Sequence, residues 1–441
     1  MTTRERIQQP ILIGLISVMI AGCDDLLTVS DPQRYTSDDL DNSLEAVANG
    51  VEGDLYEGYD HYIIYTALNS DEYQHTGTWI GFDNYDHGRF SYGVASGGGG
   101  GNGSDGVMNA LLRARAFAIS SQERFQRVLG EEAATSPLNA RVKAVEAWAD
   151  LLLAQSFCEA PAEPGGPAVS DMELYQQAVA KMTGAIAAAE AAGAPQVALW
   201  ARAGRARAHL MLGNYDDAMA DARSVPDDFI WLAQFSGNST RQYNDLVNLT
   251  TTGFNNAAAV REVWWERVDT DQNMMRDPWT GELDPRLPVR YIGALGVDGL
   301  TPHYSQWKYR DLDADIPLTH GAEMRLIEAE VHWRRGELDE AMSKLNALRA
   351  AVGLGPLPDP AGNADRVFEY LLHERFAVLF LEGHRMNDLH RFGLVKDWIA
   401  KGAFGAESEP VRPTKFPLSR DEAIHNPQIE DNAGMRCLPR S

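Results

Sequence analysis

Cysteine is nearly absent from this chain: Cys23, Cys158 and Cys437 are the only three in 441 residues. That scarcity excludes a disulfide-dense scaffold, and with no CxxC pair it leaves no thiolate metal cage. Basic residues are also short, 39 Lys and Arg against 63 Asp and Glu, for a formal net charge of −24. A body so acidic is a poor partner for nucleic acid or for an anionic lipid surface. Catalytic signatures are missing as well: there is no HExxH, no GxSxG, no phosphate loop and no calcium-loop spacing. The Gly97–Gly101 run lacks the strand, helix and lysine that a phosphate loop needs, so it reads as a linker or lid. Asp83, Asn84 and Asp86 offer fewer oxygens than a calcium ion takes. The chain is therefore expected to bind rather than to catalyse, with no cofactor and no metal.

What is present begins with an export signal. Arg4 and Arg6 precede an apolar run from Ile11 to Ile20, and Ala21-Gly22-Cys23 closes it with small residues before a cysteine. About ten apolar residues are too few to span a bilayer core, which takes roughly 20. Residues 1–22 are thus expected to be cleaved, Cys23 to carry lipid, and 23–38 to act as a polar linker. Losing residues 1–22 takes the formal charge from −24 to −25. In an exported protein the remaining even pair, Cys158 and Cys437, is expected to form a disulfide that fastens the C-terminal tail.

Residues 39–441 read as a single, mainly α-helical domain. Leu40, Leu44, Val47, Val51 and Leu55 mark a first amphipathic helix, Tyr73 to Gly106 reads as loop, and helical patterns resume over 107–129, 138–157, 171–192 and 197–212. Two helix pairs, at about 197–226 and 320–350, resemble one another. Their turns align as GNYDDAM and GELDEAM, 123 residues apart, and small residues with a turn glycine give the tetratricopeptide pattern. The helices at 149–157 and 172–192 resemble a further, degenerate repeat. Between the two clear pairs lies an irregular segment, about 228–320, rich in Trp and Tyr. Loops on a rigid scaffold are where binding surfaces usually sit.

Aromatics beside polar side chains are the candidates for ligand contact, because a sugar presents an apolar C–H face and a rim of hydroxyls. Two segments supply that mixture. One holds Trp79, Phe82, Asn84 and Tyr85; the other holds Trp279, Tyr304 and Trp307, near Gln306. The competing expectation is that such rings pack internally, as aromatics mostly do. Trp148, Trp200, Trp333 and Trp398 sit on helical patterns and are assigned to packing, and at least one of Trp264 and Trp265 to the core. In the C-terminal stretch, Glu382, Arg385 and Asp388 step by three and are expected to pair along one helix face within a buried structural network.

The order of several short motifs carries a resemblance that composition does not. Asp284-Pro-Arg-Leu287, Lys308-Tyr309, Ala322 to Glu330 (AEMRLIEAE) and Asn346 to Gly353 (NALRAAVG) come first. Glu374-Arg375, Leu381 to Arg391 (LEGHRMNDLHR), Phe416-Pro417, Asn426-Pro427 and Asp431-Asn432 follow. In that order they resemble the SusD/RagB family of nutrient-binding outer-membrane lipoproteins. The resemblance implies a tetratricopeptide-like helix-pair scaffold with a loop-rich ligand-binding face. It further implies a surface-exposed, lipid-anchored protein that captures oligosaccharides or peptides for a SusC-type TonB-dependent transporter. The alternative is a tetratricopeptide lipoprotein that scaffolds an outer-membrane assembly; a glycoside hydrolase is disfavoured, since abundant carboxylates alone define no acid/base pair.

The disulfide is directly testable. Thiol labelling of the unfolded, unreduced protein should detect neither Cys158 nor Cys437, and finding both labelled refutes the bridge.

Overall fold

The computed structural model describes residues 37–89, 104–251, 256–396 and 415–429. The signal segment, Cys23, the Gly97–Gly101 run, Trp398, Asp431-Asn432 and Cys437 lie outside them. The chain divides into two compact units, Met1–Leu44 and Glu45–Ser441. In the first, α1 is the short helix Ser37–Asp41. The second carries everything described below.

Helix α2, Leu44–Leu68, is longer than its sequence pattern suggested, and from Leu55 onward nearly every side chain is buried. An amphipathic period marks a surface helix, whereas one covered on all sides shows none. Strand β1 (Tyr73–His75) and helix α3 (Ile80–His87) follow, so the Gly- and Asn-rich stretch expected to be loop holds two elements. The left-handed Gly88 closes α3, which its composition did not advertise.

The helical body comprises α4 (Ser104–Leu129), α5 (Pro137–Ser156), α6 (Asp171–Ala191), α7 (Pro195–Leu212) and α8 (Tyr215–Ser224). A hairpin of β2 (Glu159–Pro161) and β3 (Ala168–Ser170) joins α5 to α6. The starts have local causes. Ser136 caps α5 ahead of Pro137, and Ser170 with Glu173 forms a capping box on α6. Each of these helices packs on the next. Trp148 of α5 and Trp200 of α7 stack at 6.0 Å in the core, as packing residues should.

Residues between α8 and the second repeat form short antiparallel pairs around one helix, α9 (Asp245–Thr250). Strand β4 is Ile230–Ala233 and β5 is Ala258–Val260; β6, β7 and β8 (Val268–Asp269, Met274–Arg276, Leu283–Asp284) make a three-stranded sheet. A hairpin follows, β9 (Val289–Leu295) and β10 (Pro302–Gln306), and then β11 (Ile316–His320). Because β11 pairs with β4, the segment leaves the scaffold and returns to it at one place. β5 pairs with β1, which ties the segment's middle to the end of α2.

The second repeat is α10 (Gly321–Arg334) and α11 (Leu338–Ala351), then α12 (Ala364–Val378), α13 (Arg385–Arg391) and α14 (Arg420–His425). α10 packs directly on α8, so two repeats 123 residues apart in sequence are neighbours in space. Their turn residues Gly213 and Gly336 have φ of 76° and 74°, a left-handed conformation open to glycine and strained for other residues. The mainly α, helix-pair expectation holds.

The C-terminal stretch does form a buried network, but with other partners than expected. Glu382 binds Lys308 (2.7 Å) and His320 (3.0 Å), Arg385 clasps Asp71 at 2.6 and 2.7 Å, and Asp388 meets Arg375 (2.8 Å) and Arg391 (2.8 Å). Residues 379–384 break from helical geometry, with Leu381 and Gly383 at positive φ, so the step of three does not place Glu382 above Arg385. Glu374 joins Arg286 (2.5 Å) and Arg349 (2.9 Å), while Glu330 takes Arg391 and Arg334. Phe416 N donates to Ser156 O at 2.8 Å, and Cys158 N to Phe416 O at 3.3 Å, which seats the C-terminal segment beside α5. Cys158 is disulfide-bonded.

The network sets a pH dependence of opposite signs. Burial opposes ionisation of Glu382 and Glu323, but Lys308 and His320, and Arg207 and His384, overcome it and hold both carboxyls near 2. Their contribution is present above the ordinary value of about 4.5 and is lost as pH falls toward 2. Glu72 is the reverse: burial pushes it up to about 8, so its stabilising protonated form is fully present below 4.5 and is lost as pH rises through 8. Between pH 6 and pH 8 the slope of stability against pH, read from urea unfolding, should therefore carry a falling part from Glu72 that is missing in Glu72→Gln. An identical slope in the variant would remove Glu72 as its cause.

Candidate functional site

A cleft of about 640 Å³ opens where β1, α3 and the tip of the β9–β10 hairpin meet. Its lower wall comes from β1 and the residue after β5: His75 N donates to Asp86 Oδ2 (2.8 Å), Arg261 pairs with Asp86, and Glu262 N donates to Gln74 Oε1 (2.9 Å). One side is the start of α3. Trp79 stands there 43% exposed, with Ile80 beside it 66% exposed. The opposite side is the hairpin tip, where Leu300 is 82% exposed and Asp298 accepts from Leu300 N, Thr301 N and Thr301 Oγ1.

The tip is held by close approach to the loop after β1. Asp298 N donates to Thr76 O at 2.9 Å, and a Cβ on Gly296 would stand 2.5 Å from Thr76 O and from its Cβ. Only glycine lets the two strands of chain come this near.

Charge in the cleft is mostly negative. Asp83, Asp86, Glu262 and Asp298 line it against Arg261. Asp83 is partly neutralised by His87 (3.1 Å) and Arg89 (3.4 Å). Burial opposes ionisation of Asp298, but its bonds to Thr301 and Leu300 keep the carboxyl below the usual range. His75 is pulled down by burial despite Asp86, Asp83 and Asp298 nearby, so its ring is uncharged at neutral pH. Its Nε2 is buried without a hydrogen-bond partner.

The structure separates the seven residues named as ligand candidates. Trp79 alone lines the cleft. Phe82, Asn84 and Tyr85 are corrected from ligand contacts to supports: all three are buried, and Tyr85 is fully so. Phe82 meets the Trp79 ring edge-on at 5.4 Å and Tyr65 at 5.6 Å, while Tyr85 packs on Tyr65 and Phe416. The helical turn of α3 puts residues 82 and 85 on its inner face, three apart. Trp279, Tyr304 and Trp307 do not line this cleft either. Trp279 packs edge-on against Tyr370 and His373 (both 4.9 Å), Tyr304 stacks with Trp265 (4.7 Å) and Tyr291 (4.9 Å), and Trp307 lies against the guanidiniums of Arg290 and Arg310. These rings brace the inserted segment. His75, Arg261, Glu262, Asp298 and Leu300 went unmarked in the sequence; the Asp298-Gly299 turn between two strand-like runs was the one available signal.

Asp277, Asp284 and His373 place ligand atoms within 4.8 Å of one another, the geometry of a cation site. Arg349 already holds Asp277 at 2.7 Å and Arg286 holds Asp284 at 2.7 Å. Two buried guanidiniums supply the charge that a metal ion would bring, so the cluster is an ion-pair node.

Comparison with known proteins agrees with this architecture. The scaffold and cleft define a tetratricopeptide-like helix-pair body carrying a loop-built cleft. Residues 296–433 match the family model described as the SusD family. A SusD superfamily protein from Bacteroides vulgatus superposes with a TM-score of 0.64 at 14% identity, over 88% of this chain and 98% of that one. A SusD-like carbohydrate binding protein from the same organism gives 0.60 at 16%, over 80% and 83%. A laminarin binding SusD-like protein gives 0.56 at 16%, over 87% and 98%. At these identities the structural likeness shows the fold, and the fold is that of SusD. No curated protein sequence matches the chain.

Gly296→Ala tests the construction of the cleft. The added methyl must push the hairpin tip off Thr76, and overpacking of this kind costs about 1–3 kcal/mol. Denaturant unfolding should show that loss; a fully stable variant would mean that the tip is not clamped there.

Proposed function

We propose that this protein captures oligosaccharides at the Trp79 cleft and hands them to a SusC-type TonB-dependent transporter, held in the outer membrane by lipid on Cys23. The observation that carries the reading is Trp79 itself: a large ring, 43% exposed, propped edge-on by buried Phe82, in a cleft lined by carboxylates, two imidazoles and two threonines. A ring held this way packs on a sugar's C–H face without first losing side-chain freedom, while the polar groups around it orient hydroxyls. The SusD-family match and the neighbours described as carbohydrate binding and laminarin binding support a glycan as ligand. No helix among the described residues is long and apolar enough to cross a membrane, so the tether rests on the lipoprotein signal. The role we propose is binding without turnover. The tail proposal stands beside it: Cys437 is the partner of Cys158.

Calorimetry and affinity gels across oligosaccharides and peptides, with Trp79→Ala beside the wild type, test the site. Loss of ring stacking should weaken glycan binding by about tenfold or more, in line with the roughly 1–3 kcal/mol that such contacts are worth. Indifference of a bound glycan to the substitution would remove this cleft as the site, and binding of peptides alone would replace the ligand class.

A further inference from the structure

The cleft's charge and its one unpartnered imidazole say more about the ligand than its shape does. Four carboxylates line it, and among the described residues no cation pairs with Glu262 or Asp298, while Arg261 is spent on Asp86. Glu262 is exposed and Asp298 half-buried, so both project their field into the opening rather than into the protein. Opposite them, the His75 side chain is nine-tenths buried, and its Nε2 has no hydrogen-bond partner. That nitrogen lies beside Gly77, which also lines the cleft: a Cβ there would stand 3.1 Å from Nε2. The same position is 3.1 Å from Ala257 Cα and Cβ, so the gap left by the missing side chain is bounded by Ala257.

Resting on the capture reading above, we infer that the cleft selects uncharged or cationic oligosaccharides and rejects acidic ones, with His75 hydrogen-bonding a ligand hydroxyl. Sugar hydroxyls and amines donate to carboxylates, and a protonated amine gains from the surplus negative charge. A uronate or sulfate ester brings a like charge against Glu262 and Asp298, and like-charge juxtaposition is a strong device for excluding a partner. Arg261 does not rescue such a ligand, because turning to it would strand Asp86, which is buried. His75 fits the neutral ligand for the same reason. An uncharged ring nitrogen offers one hydrogen bond to a hydroxyl and no net attraction for an anion.

The test uses the full chain in detergent and matched polymers: laminarin, dextran and hydroxyethylcellulose, each with an anionic and a cationic derivative of the same backbone. Affinity gels and calorimetry are run at low and at moderate salt. For whichever neutral polymer binds, the anionic derivative should bind about tenfold more weakly at low salt, and the gap should narrow as salt screens the cleft. The overall charge of −24 disfavours any polyanion, so Glu262→Gln separates local from global repulsion: it should reduce the discrimination to about threefold. His75→Asn should weaken the neutral polymer about fivefold, the share of one hydrogen bond.

An anionic derivative that binds as tightly as its parent, and is lost in Trp79→Ala, overturns the charge selection and leaves the capture site standing. Discrimination unchanged in Glu262→Gln overturns the assignment to the cleft, and unchanged affinity in His75→Asn removes His75 from it. No binding by any polymer overturns the capture reading and this inference together.

Discussion

Everything in this molecule hangs on charges that are buried and must find each other. Arg385, Arg375, Arg349, Arg286 and Arg391 meet Asp71, Asp388, Asp277, Asp284, Glu374 and Glu330, carboxylates that are all buried away from water. Such pairs roughly repay their own desolvation, so they add little net stability over an apolar core. Their force is conditional. Any packing that separates one from its partner strands a charge in low dielectric, at a cost of about 3–5 kcal/mol, and so alternative arrangements of these segments are excluded.

That constraint reaches the cleft through few covalent steps. Asp71 and Glu72 lie between α2 and β1; Arg385 holds the first, and the Leu381 N–H donates to the second at 2.8 Å. Arg261 N donates to Glu72 O at 3.1 Å, which brings in the strand opposite. The C-terminal stretch therefore fixes the root of β1, and β1 delivers Gln74, His75 and Gly77 to the opening. Lys308 and His320, both on Glu382, fasten the chain between the hairpin and α10 to the same stretch. The residue string expected to form a structural network is also the foundation under a cleft wall built some distance away.

The aromatics divide along the same physical line. Where a ring has another ring or a guanidinium within reach, as Tyr304 and Trp307 do, it is spent on holding irregular backbone together, which short two-stranded sheets cannot do alone. Trp79 stands at the first turn of α3, with a partner along its edge and open space beyond its faces. Exposure of one large ring among polar groups, rather than aromatic abundance, distinguishes the cleft wall from the bracing.

Sequence alone determined the helix-pair body, because small-residue faces and turn glycines act within a dozen positions: GNYDDAM and GELDEAM announced their turns. It also determined that the C-terminal charges would be buried and paired, from the apolar residues around them. It did not determine their partners, since Asp71 is 314 residues from Arg385 and no local spacing encodes that pairing. α3 was hidden by a composition that favours turns, and its existence rests on burying Phe82 and Tyr85 against α2 and Phe416. Of seven residues chosen for ligand contact, only Trp79 lines the cleft, because residue type tells what a side chain can do while burial decides whether a ligand can touch it. His75, Glu262 and Asp298 come from three separate segments, and only the pairing of β1 with β5 and the seat of Gly296 on Thr76 bring them to one opening.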